Sequence, residues 1–102
     1  MVNSRWKKLA IKENVVNVEG EDITIKGLTY KELGELSGYE DTKDRQGALN
    51  YMLRVTLQKA PEVEEGEIDW LVENISAEHA LTILTLVQDL SGLSEKKTVK
   101  ND

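Results

Sequence analysis

Val16 and Val18 alternate with polar residues, and after Gly20, Glu21 and Asp22 the alternation resumes at Ile23 and Ile25. Period-two spacing on both sides of a turn-rich stretch predicts a β-hairpin with a four-residue turn over 19–22, closed by Gly27. Two strands alone are marginal in water, so the apolar face of Val16, Val18, Ile23 and Ile25 has to rest on helices. The first helix starts at Thr29, because Thr29 and Glu32 have the spacing of a capping box, and Gly38 suits a left-handed stop after Ser37. With few apolar residues, Leu33 and Leu36 beside Tyr30, it reads as a surface helix covering one side of the core.

A loop over 38–43 leads to a longer helix over 44–59, with Asp44 as cap or first-turn acid and Pro61 as the stop. On a helical wheel Leu49, Leu53, Leu57 and Ala60 line one flank and Ala48, Tyr51, Met52 and Val55 the other, an apolar arc on the order of 240 degrees. After an acidic loop, Ile68, Leu71, Val72 and Ile75 follow helical spacing in a short segment over 68–74, with Trp70 beside them. Ser76 caps the last helix, 77–90, stopped by Ser91 and Gly92. In it Glu78, Thr82, Thr85 and Asp89 form a polar stripe, while Ala80, Leu81, Ile83, Leu84, Leu86, Val87 and Leu90 fill roughly 220 degrees. The predicted fold is α+β, mainly α: a short N-terminal β-hairpin packed on a bundle of about four helices. The two broad arcs either form the centre of a monomeric core or leave flanks for a partner helix or another copy.

Composition narrows the classes of function. The 102 residues make one domain, 13–93, between a basic flexible arm, 1–12, and a polar flexible tail, 94–102. There is no cysteine, which excludes a disulfide scaffold, a zinc ribbon and a thiol nucleophile. The formal charge of −6, from 13 basic and 19 acidic residues, argues against nucleic acid as a partner, since that affinity is built from cations on phosphates. No apolar run approaches the roughly 18 residues of a membrane span, and the first residues carry no apolar secretory segment. The charge is uneven: Arg5, Lys7, Lys8 and Lys12 crowd the start with no acid among them, whereas 62–78 holds Glu62, Glu64, Glu65, Glu67, Asp69, Glu73 and Glu78 with no Lys or Arg. Charge runs usually face water. The alternative is electrostatic docking of a partner or another copy, basic arm to acidic surface.

Catalytic chemistry has little material here. His79, the single histidine, falls at the edge of the apolar arc as a structural side chain, and it has neither the nucleophile nor the further ligands that catalysis or zinc would need. Aligning Gly66 with the glycine of an EF-hand loop puts Pro61, Val63 and Val72 where oxygen ligands are required. The glycines match neither a phosphate loop nor a dinucleotide fingerprint, and Gly34 and Gly47 read as close-packing points. Trp6 among cations could stack on a base, but one aromatic in an arm is a weak platform. The expectation is a non-enzymatic protein with no cofactor, no metal and no small-molecule ligand.

The order of elements, a hairpin, then "ITIKGLTYKELGEL", a central amphipathic helix and "IDWLVENISAEHALTILTLVQDLSGLSEKK", resembles the small tail assembly chaperones of long-tailed bacteriophages and their prophage or archaeal-virus relatives. The resemblance covers residues 22–97, and its motifs are Leu28, Thr29 and Glu32 at a helix start and the Leu-Ser-Gly-Leu-Ser segment at 90–94. It implies a protein that coats the tape measure protein in the host cytoplasm, keeping it soluble until the tail tube polymerises. It also implies a longer frameshifted product that recruits tail tube protein, and Lys96 and Lys97 after Glu95 suit an A-rich slippery run. The flanks Leu49, Leu53 and Leu57 with Ile83, Leu86 and Leu90 are the contact surface that our reading of the arcs suggests; the family pattern does not fix them. Two other readings remain open: another phage structural accessory, of the connector or baseplate kind, and a small acidic regulator that binds through 62–78.

Overall fold

The computed structural model describes residues 4–93. The elements run α1 (Ser4–Lys7), β1 (Glu13–Val18), β2 (Glu21–Lys26), α2 (Tyr30–Asp41), α3 (Arg45–Lys59), α4 (Ile68–Asn74) and α5 (Ala77–Leu90), with a 3-10 turn at Glu65–Glu67 leading into α4. The hairpin and the four helices after it are those that the hydrophobic pattern predicts, while α1 is a single helical turn within the arm, where no helix is expected. The polar tail expected over 94–102, including Lys96 and Lys97, lies outside the described residues, as do residues 1–3 of the basic arm.

The hairpin pairs Val16 with Ile23, Asn14 with Ile25 and Val18 with Glu21. Its turn has two residues, not the expected four, because Glu21 and Asp22 join the ladder opposite Val18 and Asn17. Glu19 and Gly20 sit at φ 52° and 87°, and two successive left-handed residues match the twist of the flanking strands. Asn17 holds the turn from one side: its Oδ1 accepts from the Gly20 amide at 3.1 Å and its Nδ2 donates to Asp22 Oδ1 at 2.9 Å. Ile25 is fully buried and Val16, Val18 and Ile23 are half-buried on the same face, whereas Val15 on the other face is exposed.

α2 begins as its sequence requires. Thr29 Oγ1 accepts from the Glu32 amide at 3.1 Å, and Glu32 Oε1 accepts from the Thr29 amide at 2.9 Å, satisfying two donors that the helix start would otherwise leave unpaired. Its end differs from expectation, for the helix runs through Gly38 to Asp41. Tyr39, beyond the expected stop, meets the ring of Tyr51 on α3 at 5.6 Å, and continuing the helix is what brings it there. The left-handed residue is Lys43, at φ 60°. The Asp44 amide donates to Tyr39 O and the Lys43 amide to Glu40 O, the paired bonds of a Schellman stop.

α3 occupies the middle of the molecule, touching α2, α4, α5 and β2, while the hairpin also lies along α5. Met52, Leu53, Leu57 and Ala60 of α3 are buried, as are Ile83, Leu84 and Val87 of α5 and Ile25, Leu28, Leu36 and Ile68 from the surrounding elements. Each fully enclosed side chain of this size contributes about 1.5–3 kcal/mol from removing apolar surface from water. Thr56 is buried within the same face of α3, and its hydroxyl donates to Met52 O at 2.7 Å, so no polar group is stranded there. The buried arc of α5 is narrower than its composition suggested, because Leu81 is 59% exposed. Gly47 is a close-packing point: a Cβ there would stand 2.7 Å from Asp44 Cγ and 2.9 Å from the Tyr39 ring. Gly34, expected to be another, has nothing within 4 Å of where its Cβ would stand.

Candidate protein-interaction surfaces

Polar contacts concentrate where the ends of α3 and α5 meet the exit of the hairpin. Lys59 Nζ donates to Gly27 O at 2.7 Å and to Glu32 Oε1 at 2.6 Å, so one cation joins the last turn of α3, the end of β2 and the cap of α2. Burial opposes the Glu32 charge, but the Lys59 ammonium and the Thr29 amide outweigh it and hold the carboxyl below its usual range. Ser91 performs the parallel task at the end of α5. Its hydroxyl accepts from the Leu28 amide at 2.7 Å and donates to Val87 O at 2.6 Å. Gly27 lets these parts close up, since a Cβ there would lie 3.0 Å from the Leu90 carbonyl oxygen. Sequence pattern alone does not single out Lys59, because a lysine in a last helical turn is equally explained by the helix dipole.

Of the six residues suggested as a contact surface, Leu53, Leu57 and Ile83 are in the core at 5%, 1% and 0% exposure. They belong to one buried cluster formed where α3 and α5 pack, and no partner reaches them while the fold stays closed. That part of the expected surface is corrected. Leu49, Leu86 and Leu90 are half-buried, and Leu49 and Leu90 border different hollows. Leu49 lies with Leu36, Ala48 and Met52 on the floor of an open hollow of about 450 Å³, with Glu40, Lys43, Asp44 and Arg45 at its edge and Gln88 opposite. Leu90 borders a second hollow of about 400 Å³, beside Leu9, Ile11, Leu28 and Tyr30.

The 62–78 segment is partly tied down. Glu62 takes two hydrogen bonds from Thr24, amide to Oε1 at 2.9 Å and hydroxyl to Oε2 at 2.7 Å, and these lower its carboxyl pKa from the usual value. Arg54 reaches Asp69 at 2.6 Å with both side chains in solvent. Trp70, which lies beside the helically spaced apolar residues of 68–74, is 63% exposed. His79 occupies a structural position: its Nε2 stands 3.3 Å from Glu19 Oε2, joining the hairpin turn to the first turn of α5. Tyr51 donates its hydroxyl to Glu35 Oε1, and burial together with that carboxylate pushes the phenol pKa well above its ordinary value. The hydrogen bond makes the phenol a strut between α2 and α3.

Among the described residues no three His, Cys, Asp or Glu side chains gather as a metal-holding group, and no helix is long and apolar enough to cross a membrane. Compared with protein-family models, with curated proteins and with solved structures, the chain matches none.

Proposed function

We propose that this chain is a non-enzymatic protein-binding module that keeps an apolar helical client soluble, in the manner of a phage tail assembly chaperone acting on a tape measure protein. The observation that carries the reading is the hollow at Leu49: an apolar floor of Leu36, Ala48, Leu49 and Met52, open to solvent and edged by charges of both signs. A groove of this composition suits the apolar face of an amphipathic helix, with the rim setting its register. The mechanism is masking, in which a client face is covered with moderate affinity until a polymerising tube protein displaces the chain. Host cytoplasm is the compartment this reading requires.

The test is co-expression with the long helical protein encoded beside this gene, followed by capture at low salt and at about 1 M salt, where charges are screened beyond about 3 Å. Salt-resistant capture that keeps the client in solution, lost in Leu49→Arg while the helical content is retained, is the expected result. Capture that disappears with salt would instead favour the acidic-regulator reading, for which the exposed Trp70 beside Glu67 is the specific support.

A further inference from the structure

We propose that the chain also associates with itself head to tail, the basic arm of one copy seating on the acidic face around Trp70 of the next. The two surfaces complement each other in charge and in apolar content. Residues 1–12 carry Arg5, Lys7, Lys8 and Lys12 and no acid, and the arm presents Trp6 at 52% and Leu9 at 72% exposure. Residues 62–78 carry seven acids and no Lys or Arg. Within that stretch Trp70, Gly66, Glu67 and Leu71 border an open hollow of about 350 Å³, with room for an aliphatic side chain such as Leu9. Glu65 precedes Gly66 in the chain, Glu73 follows Trp70 at the i+3 spacing that makes helical neighbours, and both are exposed.

Placement decides which copy supplies the arm. The arm joins the body at the C-terminal end of α5, where Leu9, Ala10, Ile11 and Lys12 line a hollow with Leu90 and Ser91, and Lys12 O accepts from the Gly27 amide. α4 leads instead into the N-terminal end of α5, through Ile75 and Ser76. The hollow beside the arm and the hollow at Trp70 have no lining residue in common, so the arm and the acidic face are separate surfaces of one copy. The ion pairs among the described residues, Arg54–Asp69, Lys59–Glu32 and His79–Glu19, leave Lys7 and Lys8 out. Joining two different surfaces makes the contact heterologous, so it propagates or closes into a ring rather than stopping at a two-fold dimer.

The formal charge of −6 repels copies at long range, so a charge-swap experiment is more decisive than salt alone. Sedimentation velocity would be run on the full chain, on the arm variant Lys7→Glu/Lys8→Glu and on the face variant Glu65→Lys/Glu73→Lys, each shown by circular dichroism to keep its helices. The wild type is expected to grow with concentration, each variant alone to need at least about tenfold more protein for the same association, and an equimolar mixture of the two to associate again. A wild type that stays monomeric, association indifferent to both reversals, or a mixture that fails to re-associate would each overturn the proposal. None of the four substituted residues borders the Leu49 hollow, so client capture by these variants reports separately on the proposed function.

Discussion

The C-terminal end of α5 and the α4 segment are built differently. At the end of α5, contacts join residues far apart in the chain: Ser91 to Leu28, Lys59 to Gly27 and Glu32, and the Gly27 backbone against Leu90. Around the α4 segment, Arg54 and Asp69 pair in open solvent and Trp70 lies on the surface. Polar groups that are partly enclosed and bonded to several elements fix a fold, because losing one strands its partners. Exposed pairs and an exposed aromatic fix little and are free to serve a partner. The comparison assigns stability to the first region and leaves the second open for the recognition proposed above.

The most damaging test of that contrast is Lys59→Met. It leaves Gly27 O without its donor and Glu32 without its counter-ion, at side-chain exposures of 19% for Lys59 and 21% for Glu32, and a cost of about 2–3 kcal/mol is expected in urea unfolding. The pH dependence has a definite sign. The folded Glu32 carboxyl lies below its ordinary value of 4.5, so the stabilisation from pairing is complete above that value and is lost as pH falls through the lower folded value. The stability gap between wild type and Lys59→Met should therefore narrow below pH 4.5. A gap that stays constant into acid would show that the ammonium acts through Gly27 alone.

Gly27→Ala is expected to cost about 1–2 kcal/mol, because the added methyl presses on the last carbonyl of α5, which is backbone and yields less readily than a side chain. A loss as small as that of an exposed substitution would mean the seam closes less tightly than the 3.0 Å approach implies.

Much of the fold was legible in the sequence because its signals are local. Thr29 with Glu32 is a cap whichever core it serves, Ser76 and Gly92 mark the limits of α5, and α4 has the expected bounds. What misled were glycines judged by type alone. Gly38 lies inside α2 and Gly34 packs on nothing, while Lys43 occupies the left-handed stop. The candidate surface was less legible, since amphipathic arcs report which residues are apolar and not which of them another element covers. Leu53, Leu57 and Ile83 went to the core, and Leu81 and Trp70 stayed outside. The Lys59 seam depends on contacts between residues 27 or more positions apart, for which a periodic pattern carries no signal.

The ends of α2 and α5 sharpen the point at smaller scale. Both close with the same pair of hydrogen bonds, but Gly92 takes the left-handed position in α5 and Lys43 takes it in α2. A side chain in that conformation costs roughly 1–2 kcal/mol, part of which is returned because glycine is more flexible when unfolded. Lys43→Gly should stabilise the protein by about 0.5–1 kcal/mol and Gly92→Ala should destabilise it by a similar amount. Equal and opposite shifts in the urea midpoint would show that the stop is governed by backbone conformation, whereas a loss in both would mean that the Lys43 side chain, at the rim of the Leu49 hollow, contributes to the fold.

The smallest expected effect is the most useful one for the recognition proposed at the α4 region. Asp69→Asn removes the carboxylate charge opposite Arg54, but with the two side chains 43% and 81% exposed, water already solvates both charges, and a stability change within about 0.5 kcal/mol is expected. Trp70→Ser should behave alike in unfolding, since most of its ring makes no intramolecular contact that burial would reward. Both substitutions should nonetheless weaken association between copies, because they alter the charge and the apolar surface that a neighbouring arm would meet. If Trp70→Ser instead lowers stability by as much as Lys59→Met, the ring is part of the core's cover, and the contrast between the C-terminal end of α5 and the α4 segment fails.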